Sequence, residues 1–446
     1  MQELTRECLR AMSEDFRQHK VYELIQNAVT QVSADKLTAR RRILAEADHS
    51  FSIHLDDWKV TSQEHSGRCW LFAGTNLLRV NAMKKMRLQQ FEFSQNWLLF
   101  WDKLEKANFF IEAIIETADR ALTDRTVWFL LQNPVSDGGQ WNMFVNVVKK
   151  YGLVPKAAMP ETESSSNTDV LNVLLAAKLR LGAKQVRDLY EDKGPWPAAA
   201  QKVKSELLNQ IYRILCIHLG TPPQLFTWQW HEEKKRRAFH RDQDMLPLAF
   251  AKKYVSLPLD EYVSLVHDPR PTSPRGRTFT VQYLGNVWGG KPVVYLNVDI
   301  KLMKQIALRI LKDKEPVWFG CDVCKMLDRE AGLLDADLRD YEGLYNMSFA
   351  LNKAERLQYG ATCMTHAMLF TGVDILHGKP RRWRVENSWG EKAGKQGFFL
   401  MNDSWFEEHM FEIAVRKTYL PRPLQKALLQ KPIVLPPWDP MGSLAR

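Results

Sequence analysis

Residues 63–74, QEHSGRCWLFAG, join a short polar run to an apolar helical pattern, with a lone cysteine, Cys69, at the junction. From Cys69 onward, apolar residues recur at the spacing of a helix. Ser66 is the predicted N-cap, which places Cys69 in the first helical turn. Backbone N–H groups and the helix dipole stabilise a thiolate there, so the position suits a nucleophile. Taken alone, a single cysteine is more often a small buried apolar residue.

The overall composition is that of an ordinary globular protein of 446 residues, 45% hydrophobic and 26% charged. No stretch approaches the ~20 apolar residues of a membrane helix, and the N-terminal residues lack the apolar core of a signal peptide. We therefore expect a cytoplasmic protein with no membrane partner. The formal net charge of +10 permits contact with nucleic acid but does not identify it as a partner.

Six cysteines are too few for a disulfide framework in a chain of this length, so reduced thiols are expected. Cys321 and Cys324 form a C-x-x-C pair, but the sequence has no second such pair and no histidine pair nearby. Neither a metal nor an organic cofactor is predicted. The Cys321–Cys324 spacing receives no role and is interpreted as chance.

Helical and strand-like patterns divide the chain into successive segments. The predicted segments are an N-terminal helical segment at 1–53, a helical lobe with the nucleophile at 54–160, a mostly helical insertion at 161–277, a β-rich lobe at 278–420 and a C-terminal tail at 421–446. Short apolar runs bounded by turn residues, such as EPVWFGC and QGFFLMND, predict the strands of the β-rich lobe. A helical first half and a β-rich second half together predict an α+β fold.

Two further residues complete a candidate catalytic set with Cys69. His366 lies on a predicted strand in THAMLF, and Asn387 lies at the end of the next strand in ENSWG. Taken singly, such a histidine is usually a core residue and such an asparagine begins a turn. Cysteine at a helix start, then histidine and asparagine on later strands, is the chain order of papain-type cysteine peptidases, which this sequence resembles.

The resemblance to papain-type peptidases implies a role for each residue of this set. Cys69 attacks the amide carbonyl, and His366 holds the proton as imidazolium and delivers it to the leaving amine. Asn387 orients the imidazole through its side-chain oxygen. Gln63, six residues before the thiol, joins the Cys69 backbone N–H as the oxyanion hole.

The same resemblance assigns substrate-binding positions and shows one departure. Trp389 is expected to shield the histidine–asparagine hydrogen bond, and Gly138 with Gly139 is expected to form the glycine wall of the substrate site. Secreted members carry half-cystines where this chain has Ser66 and Ser136. Because both partners of one disulfide are replaced together, the sequence fits a branch that works in a reducing compartment.

From about residue 50 to the C-terminus the sequence resembles bleomycin hydrolases. The resemblance rests on segments such as NPVSDGGQWNMFVNVVKKYGLVPK, NKAERLQYG and KPIVLPPWDPMGSLAR. It implies a papain-like two-lobe fold, a helical lobe plus a β-barrel-like lobe, with a large helical insertion and a C-terminal tail in the active-site cleft. It also implies a cytosolic homohexameric aminopeptidase that acts on peptides or amides with a free α-amine, including the carboxamide of bleomycin and homocysteine thiolactone.

The end of the tail is expected to contact the substrate. In the family that the sequence resembles, the terminal carboxylate pairs with the α-amine of the substrate and leaves room for only a short N-terminal stretch. This chain ends at Ala445 and Arg446, whereas an animal member is expected to end at the alanine. We expect Arg446 either to be trimmed by the enzyme itself or to alter its specificity.

Other functions share parts of this pattern. A papain-like endopeptidase is the nearest alternative, but the long insertion, the missing disulfide and the missing signal segment argue against it. A cysteine acyltransferase uses the same three residues. A basic ring that binds nucleic acid predicts salt-sensitive binding that survives loss of Cys69. A catalytically inactive scaffold is disfavoured because the three catalytic residues and the oxyanion-hole glutamine are all present.

Overall fold

The computed structural model describes residues 3–55, 57–193, 198–233 and 238–445. The helices are α1 (Arg6–Gln18), α2 (Lys20–Val29), α3 (Ala34–Thr38), α4 (Arg41–Ala45), α5 (Cys69–Met86), α6 (Gln95–Glu116), α7 (Arg125–Gln132), α8 (Trp141–Tyr151), α9 (Glu163–Ser166), α10 (Asp169–Lys193), α11 (Ala198–Leu219), α12 (Pro247–Tyr254), α13 (Ile300–Lys312), α14 (Tyr341–Tyr345), α15 (Lys353–Gln358), α16 (Asp403–His409) and α17 (Arg422–Ala427). The strands are β1 (Ile53–His54), β2 (Phe226–His231), β3 (Phe239–Met245), β4 (Tyr262–Val266), β5 (Thr278–Val281), β6 (Tyr295–Asn297), β7 (Val317–Cys321), β8 (Leu327–Asp328), β9 (Leu333–Leu334), β10 (His366–Leu376), β11 (Lys379–Glu386), β12 (Phe398–Asn402), β13 (Met410–Arg416) and β14 (Ile433–Leu435).

One large mixed sheet organises the second half of the chain. Within the described residues its strands lie in the order β14, β5, β6, β4, β13, β7, β10, β11, β12, β9 and β8, and β1 pairs with β10. The central strands β13, β7, β10 and β11 are antiparallel neighbours. Alternate side chains of these strands face opposite sides of the sheet, and both sides are covered. The mixed helices and sheet confirm the predicted α+β class.

The nucleophile helix α5 lies between the sheet and the helical lobe. It contacts β10 and β7 on one side and α6, α8 and α12 on others, so it is buried nearly all round. Trp70, Trp141 and Trp318 are completely buried where α5, α8 and β7 meet. The Trp318 Nε1–H donates to the Trp70 carbonyl at 3.3 Å. This packing holds the start of α5 against the strand that carries His366.

Three local expectations differ from the structure. Arg68, not Ser66, is the N-cap of α5, so Cys69 is the first helical residue. Strand β4 lies within the predicted insertion but pairs with β13 and β6 of the large sheet, so the sheet begins before residue 278. Strand β14 lies within the predicted tail but pairs with β5. Both strands owe their place to distant partners, which local patterns do not reveal.

The predicted insertion contains more than helices. Helices α10 and α11 pack against each other and against α6, while β2 and β3 form a separate two-stranded hairpin. In the part of the chain that the structure describes, no helix is long and apolar enough to cross a membrane.

Candidate active site

The start of α5 brings the Cys69 thiol to strand β10. The thiol is buried, and the backbone N–H of Ala367 donates to Cys69 Sγ at 3.3 Å. Ala367 directly follows His366, so the cysteine lies beside the histidine that the sequence predicts as its partner. The structure therefore joins two residues that are nearly 300 positions apart in the chain.

His366 and Asn387 meet as the sequence predicts. Their strands, β10 and β11, are antiparallel neighbours, and His366 Nε2 lies 2.8 Å from Asn387 Oδ1. Asn387 Oδ1 also accepts the backbone N–H of Ser388 at 2.8 Å, which directs the oxygen towards the ring. This contact makes Nε2 the protonated nitrogen of a neutral ring and leaves Nδ1 free for proton transfer. Trp389 packs on the imidazole with ring centroids 5.0 Å apart, as expected for a shield.

Burial favours the uncharged forms of the cysteine and the histidine. It raises the pKa of Cys69 to about 11, although the N–H groups of Ala367 and Trp70 act in the opposite direction. It lowers the pKa of His366 to about 4, against the hydrogen bond that the ring donates to Asn387, which raises it. A thiolate–imidazolium pair in this site therefore depends on the attraction between its two members and on the donors at the start of α5.

Gln63 lies next to the nucleophile with its amide already engaged. Its Nε2 donates to the Ser66 carbonyl at 2.5 Å, and its Oε1 accepts from the Ser388 hydroxyl at 2.7 Å. These bonds fix the amide between the loop before Cys69 and the loop after Asn387. The second hydrogen on Nε2 is the one available to a substrate oxygen.

The glycine wall is close to the nucleophile helix, and each glycine has a different constraint. A Cβ on Gly139 would lie 2.5 Å from the Trp70 ring, so only glycine fits. The Gly138 carbonyl accepts a hydrogen bond from Lys106 Nζ at 2.5 Å. Lys106 also forms an ion pair with Asp102 at 2.7 Å. The wall is thus held from behind by a buried lysine of α6.

Asp137 links the wall to the nucleophile loop, a function that sequence reasoning missed. Its carboxylate pairs with Lys103 Nζ at 2.6 Å and accepts the Gly67 N–H at 2.9 Å and the Thr168 hydroxyl at 2.5 Å. Its carbonyl accepts Trp70 Nε1–H at 2.7 Å. Burial alone raises the pKa of Asp137, but Lys103 and the hydrogen bonds outweigh it and hold that pKa well below its usual range. The sequence feature that could have indicated this function is the presence of two lysines of α6 within the apolar run WLLFWDKLEKANFF.

Arg68, the residue before the nucleophile, points into the protein. Its side chain is fully buried and pairs with Glu161 at 2.8 Å. Its Nε donates to the Ser66 hydroxyl at 2.8 Å, and its guanidinium lies 5.0 Å from the Phe72 ring. Ser66 therefore accepts a hydrogen bond from Arg68 and does not cap the helix. Through Glu161, Arg68 connects the nucleophile loop to the beginning of the insertion.

A second buried carboxylate lies beside Asn387. Glu386 pairs with Arg79 of α5 at 2.5 Å and accepts hydrogen bonds from Asn76 at 2.9 Å and Trp58 at 2.7 Å. These contacts join the end of β11 to the helix that carries the nucleophile. The structure thus connects the asparagine and the cysteine through groups behind the site.

The last turn of the C-terminal tail contacts the segment that leads into β10, the strand of His366. The Ser443 hydroxyl donates to the Met364 carbonyl at 2.6 Å, and Leu444 is buried with 3% of its surface exposed. Ala445 belongs to the last 3₁₀ turn, Pro440–Ala445, whereas Arg446 lies outside the described residues. The tail therefore reaches the candidate site, as the sequence predicts.

An ion pair holds the tail before this last turn. Arg270 makes two contacts of 3.0 Å with the Asp439 carboxylate and also pairs with Asp268 at 2.7 Å. The Tyr295 hydroxyl donates to the Met441 carbonyl at 3.0 Å. The tail is thus anchored on both sides of residue 440.

The remaining cysteines contribute no second nucleophile at this site. Cys321 is buried at the end of β7, where its thiol lies 3.7 Å from the His366 carbonyl, and Cys324 is exposed. Burial raises the pKa of Cys321 well above its usual value. Among the described residues no group of three or more metal-ligating side chains is present.

Comparison with known proteins places this arrangement in a family. Residues 3–442 match the Peptidase C1-like family. Aminopeptidase C of Lactobacillus delbrueckii subsp. lactis is 40% identical over 446 residues, covering 99% of each chain. Bleomycin hydrolase of Mus musculus is 39% identical over 452 residues, again with 99% coverage of each. The crystal structure of pepw from Lactobacillus rhamnosis HN001 superposes with a TM-score of 0.96 at 42% identity and 99% coverage of each chain. The chain therefore belongs to the Peptidase C1-like family, with a papain-like fold, and is an enzyme of the cysteine aminopeptidase type represented by aminopeptidase C and bleomycin hydrolase.

Proposed function

We propose that the C-terminal tail restricts this cysteine peptidase to substrates with a free α-amine. The observation that carries the proposal is the contact between the last turn of the tail and the segment directly before the catalytic histidine. Ser443 is bonded to Met364, two residues before His366, and Leu444 is buried there. A chain segment in this position occupies space that the residues upstream of a cleaved bond need in an endopeptidase.

The proposed reaction is acyl transfer through a thioester. Cys69 Sγ attacks the amide carbon, and the thiol proton passes through His366 Nδ1 to the leaving amine. Water then attacks the thioester, gives a proton to His366 and releases the acid, which restores the thiol. Asn387 holds the ring through Nε2 during both steps, which leaves Nδ1 free to transfer the proton.

The developing oxyanion has two candidate donors. One is the backbone N–H of Cys69, which as the first helical residue has no intrahelical acceptor. The other is the second hydrogen of Gln63 Nε2, whose amide is held in place by Ser66 and Ser388. Removing one such donor typically slows acyl transfer by roughly 10²–10³.

Charge explains the requirement for a free amine. We propose that a carboxylate of the tail pairs with the α-ammonium group of the substrate in a charge-assisted hydrogen bond. An N-acetylated substrate has no such charge and carries extra atoms where the tail lies. We propose that the substrates include the carboxamide of bleomycin and homocysteine thiolactone, because both present an amine beside the acyl group that is attacked.

We further propose a homohexamer in the cytoplasm. Helix α1 has no buried residue and exposes Leu9, Met12 and Phe16 along one face, which favours association with another copy. All six cysteines are free, and the contact between the loop at residue 137 and the nucleophile loop is the hydrogen bond from the Gly67 N–H to Asp137. A thiol enzyme without disulfides suits a reducing compartment.

The test is hydrolysis of two fluorogenic substrates with the same residues, one with a free α-amine and one N-acetylated. The variants are the full chain, Cys69→Ser and a chain that ends at Asp439, which keeps the pairing with Arg270. We expect the full chain to cleave only the free amine, Cys69→Ser to cleave neither, and the shortened chain to gain cleavage of the acetylated substrate.

Equal cleavage of both substrates by the full chain would show that the tail does not gate the cleft, and the endopeptidase alternative would replace this proposal. Intact mass of the purified protein shows whether Arg446 is removed, and kinetics of a chain that ends at Ala445 show whether it matters. An intact Arg446 with identical kinetics of both chains would contradict a role for that residue.

A further inference from the structure

The loop before the nucleophile, residues 63–68, contains a residue in a strained backbone conformation. Glu64, directly after the oxyanion-hole glutamine, has a φ of 48°, in the left-handed region that favours glycine. A residue with a side chain keeps such a conformation only where the surrounding structure enforces it. The contacts that hold this loop in shape therefore also determine where the Gln63 amide lies.

The side chain and the backbone of Gln63 are both bound to Ser66. Gln63 Nε2 donates to the Ser66 carbonyl at 2.5 Å, and the Ser66 hydroxyl donates to the Gln63 carbonyl at 2.6 Å. The hydroxyl has only one hydrogen to give, and its oxygen accepts the Arg68 Nε–H at 2.8 Å. Hydrogen bonds thus lead from the oxyanion-hole amide through Ser66 to a buried guanidinium.

The Arg68 guanidinium is fixed on its other side by the insertion. Its Nη1 pairs with Glu161 Oε2 at 2.8 Å, and that oxygen also accepts the Ser165 hydroxyl at 2.5 Å. The backbone N–H of His65 donates to the Ser166 carbonyl at 2.9 Å, so main-chain contact joins the same two segments. Two nitrogen atoms of one rigid guanidinium meet two partners, which the single Nζ of a lysine does not reproduce.

We propose that Arg68, held by Glu161, is a positioning residue for the oxyanion hole. The inference rests on the acyl transfer of the proposed function and is independent of gating by the tail. The buried Arg68 side chain acts through its neighbours: it holds Ser66, and Ser66 directs the second hydrogen of the Gln63 amide at the developing oxyanion. The beginning of the insertion thereby contributes to catalysis through Glu161.

The test separates hydrolysis, which uses the oxyanion hole, from alkylation of the thiol, which does not. We expect Arg68→Lys to lower kcat for the free-amine substrate about 10- to 100-fold, with KM within about twofold of wild type, because one oxyanion donor contributes roughly 10²–10³ to kcat. Iodoacetamide should label Cys69 at a rate within about twofold of wild type from pH 5 to 10, since displacement of iodide by the sulfur forms no oxyanion.

A double-mutant cycle assigns the effect to the oxyanion hole. In a Gln63→Ala background, Arg68→Lys should lower kcat by less than about twofold further, because the amide that it positions is gone. Glu161→Gln removes the charge partner of Arg68 and should show the same dependence on Gln63. Arg187→Lys is the matched control and should leave kcat unchanged, since Arg187 is a buried arginine that donates to the Thr117 carbonyl at the end of α6.

An equal effect of Arg68→Lys with and without the Gln63 side chain would overturn the inference, and so would an alkylation rate that falls together with kcat. If Arg68→Lys fails to fold, the cycle of Glu161→Gln with Gln63→Ala decides by the same criteria. A slowed Gln63→Ala beside an unchanged Arg68→Lys overturns this inference alone. An unchanged Gln63→Ala contradicts the oxyanion hole of the proposed function and the inference with it.

Discussion

At the residue scale, the reactivity of Cys69 depends on a balance between burial and its histidine neighbour. Burial raises the pKa of the thiol to about 11 and lowers that of His366 to about 4, so neither group is charged at neutral pH on its own account. The charged pair forms only if each member stabilises the other. The imidazole therefore determines the nucleophilicity of the sulfur as well as the proton transfer.

We predict that His366→Ala moves alkylation of Cys69 into the alkaline range. A lone thiol with a pKa of about 11 is ionised to only about 10⁻⁴ at pH 7, and its reactivity rises as the pH approaches that value. The rate of iodoacetamide labelling at Cys69, read by peptide mass spectrometry from pH 5 to 10, checks this.

The ratio of the wild-type labelling rate to the His366→Ala labelling rate should be largest near neutral pH. His409→Ala is the control, because His409 is another buried histidine whose pKa burial lowers but which lies on α16. Identical pH profiles for wild type and His366→Ala would mean that the imidazole does not activate the thiol.

At the scale of elements, buried lysines of α6 hold the loop at residues 136–138, which Asp137 joins to the nucleophile loop. Lys103 and Lys106, one turn apart on α6, reach the backbone and side chain of residues 136–138. Glu386 performs a comparable function between β11 and α5. Removing one member of such a buried pair strongly destabilises the protein, because the other charge stays buried without a partner.

We predict that Asp137→Asn lowers the free energy of unfolding by about 3–5 kcal/mol at pH 7, because it leaves Lys103 buried without its counter-ion. The pKa of Asp137 is lowered in the folded protein, so its contribution is fully present above the unfolded value of about 4 and is lost as the pH falls below it. Urea unfolding of both proteins between pH 3 and 7 measures this.

The difference in the free energy of unfolding between wild type and Asp137→Asn should therefore become smaller in acid. Lys184→Ala removes the exposed pair with Asp188 and should leave the unfolding curve unchanged. A loss of stability in Asp137→Asn that is no larger than in Lys184→Ala would contradict the assignment of Asp137 as the link between the two loops.

At the scale of the whole molecule, helix α1 has no buried residue along its full length. Its apolar residues Leu9, Met12 and Phe16 follow helical spacing and are 51%, 58% and 40% exposed. Such a stripe without a partner is typical of an interface. The tail and the stripe lie at opposite ends of the sequence, so assembly and gating can be tested separately.

We predict that Met12→Glu reduces the size of the assembly, because it places a charge in the middle of the apolar stripe of α1. Light scattering after gel filtration gives the molar mass. Glu14→Gln is the control, since residue 14 lies on the opposite side of the helix from the stripe. A monomeric wild type, or a Met12→Glu protein of unchanged mass, would contradict the proposed hexamer and the proposed interface.

The sequence by itself determined the fold class and the identity of the candidate catalytic residues. Cys69 stands at a helix start, and His366 and Asn387 stand on successive strands, so each position follows from a local pattern in a recognisable chain order. Local patterns also predicted long helices such as α5 and α6 and several strands of the sheet, among them β7, β10 and β12. These features depend on neighbours within a few residues, which a sequence displays directly.

Only the tertiary structure decided which groups support those residues. The partners of Asp137, Glu386 and Leu444 lie between about 30 and 330 residues away. The same holds for β4 and β14, whose place in the sheet comes from distant pairing. Burial, charge pairing and pKa are properties of the packed environment, so no local pattern could have revealed them.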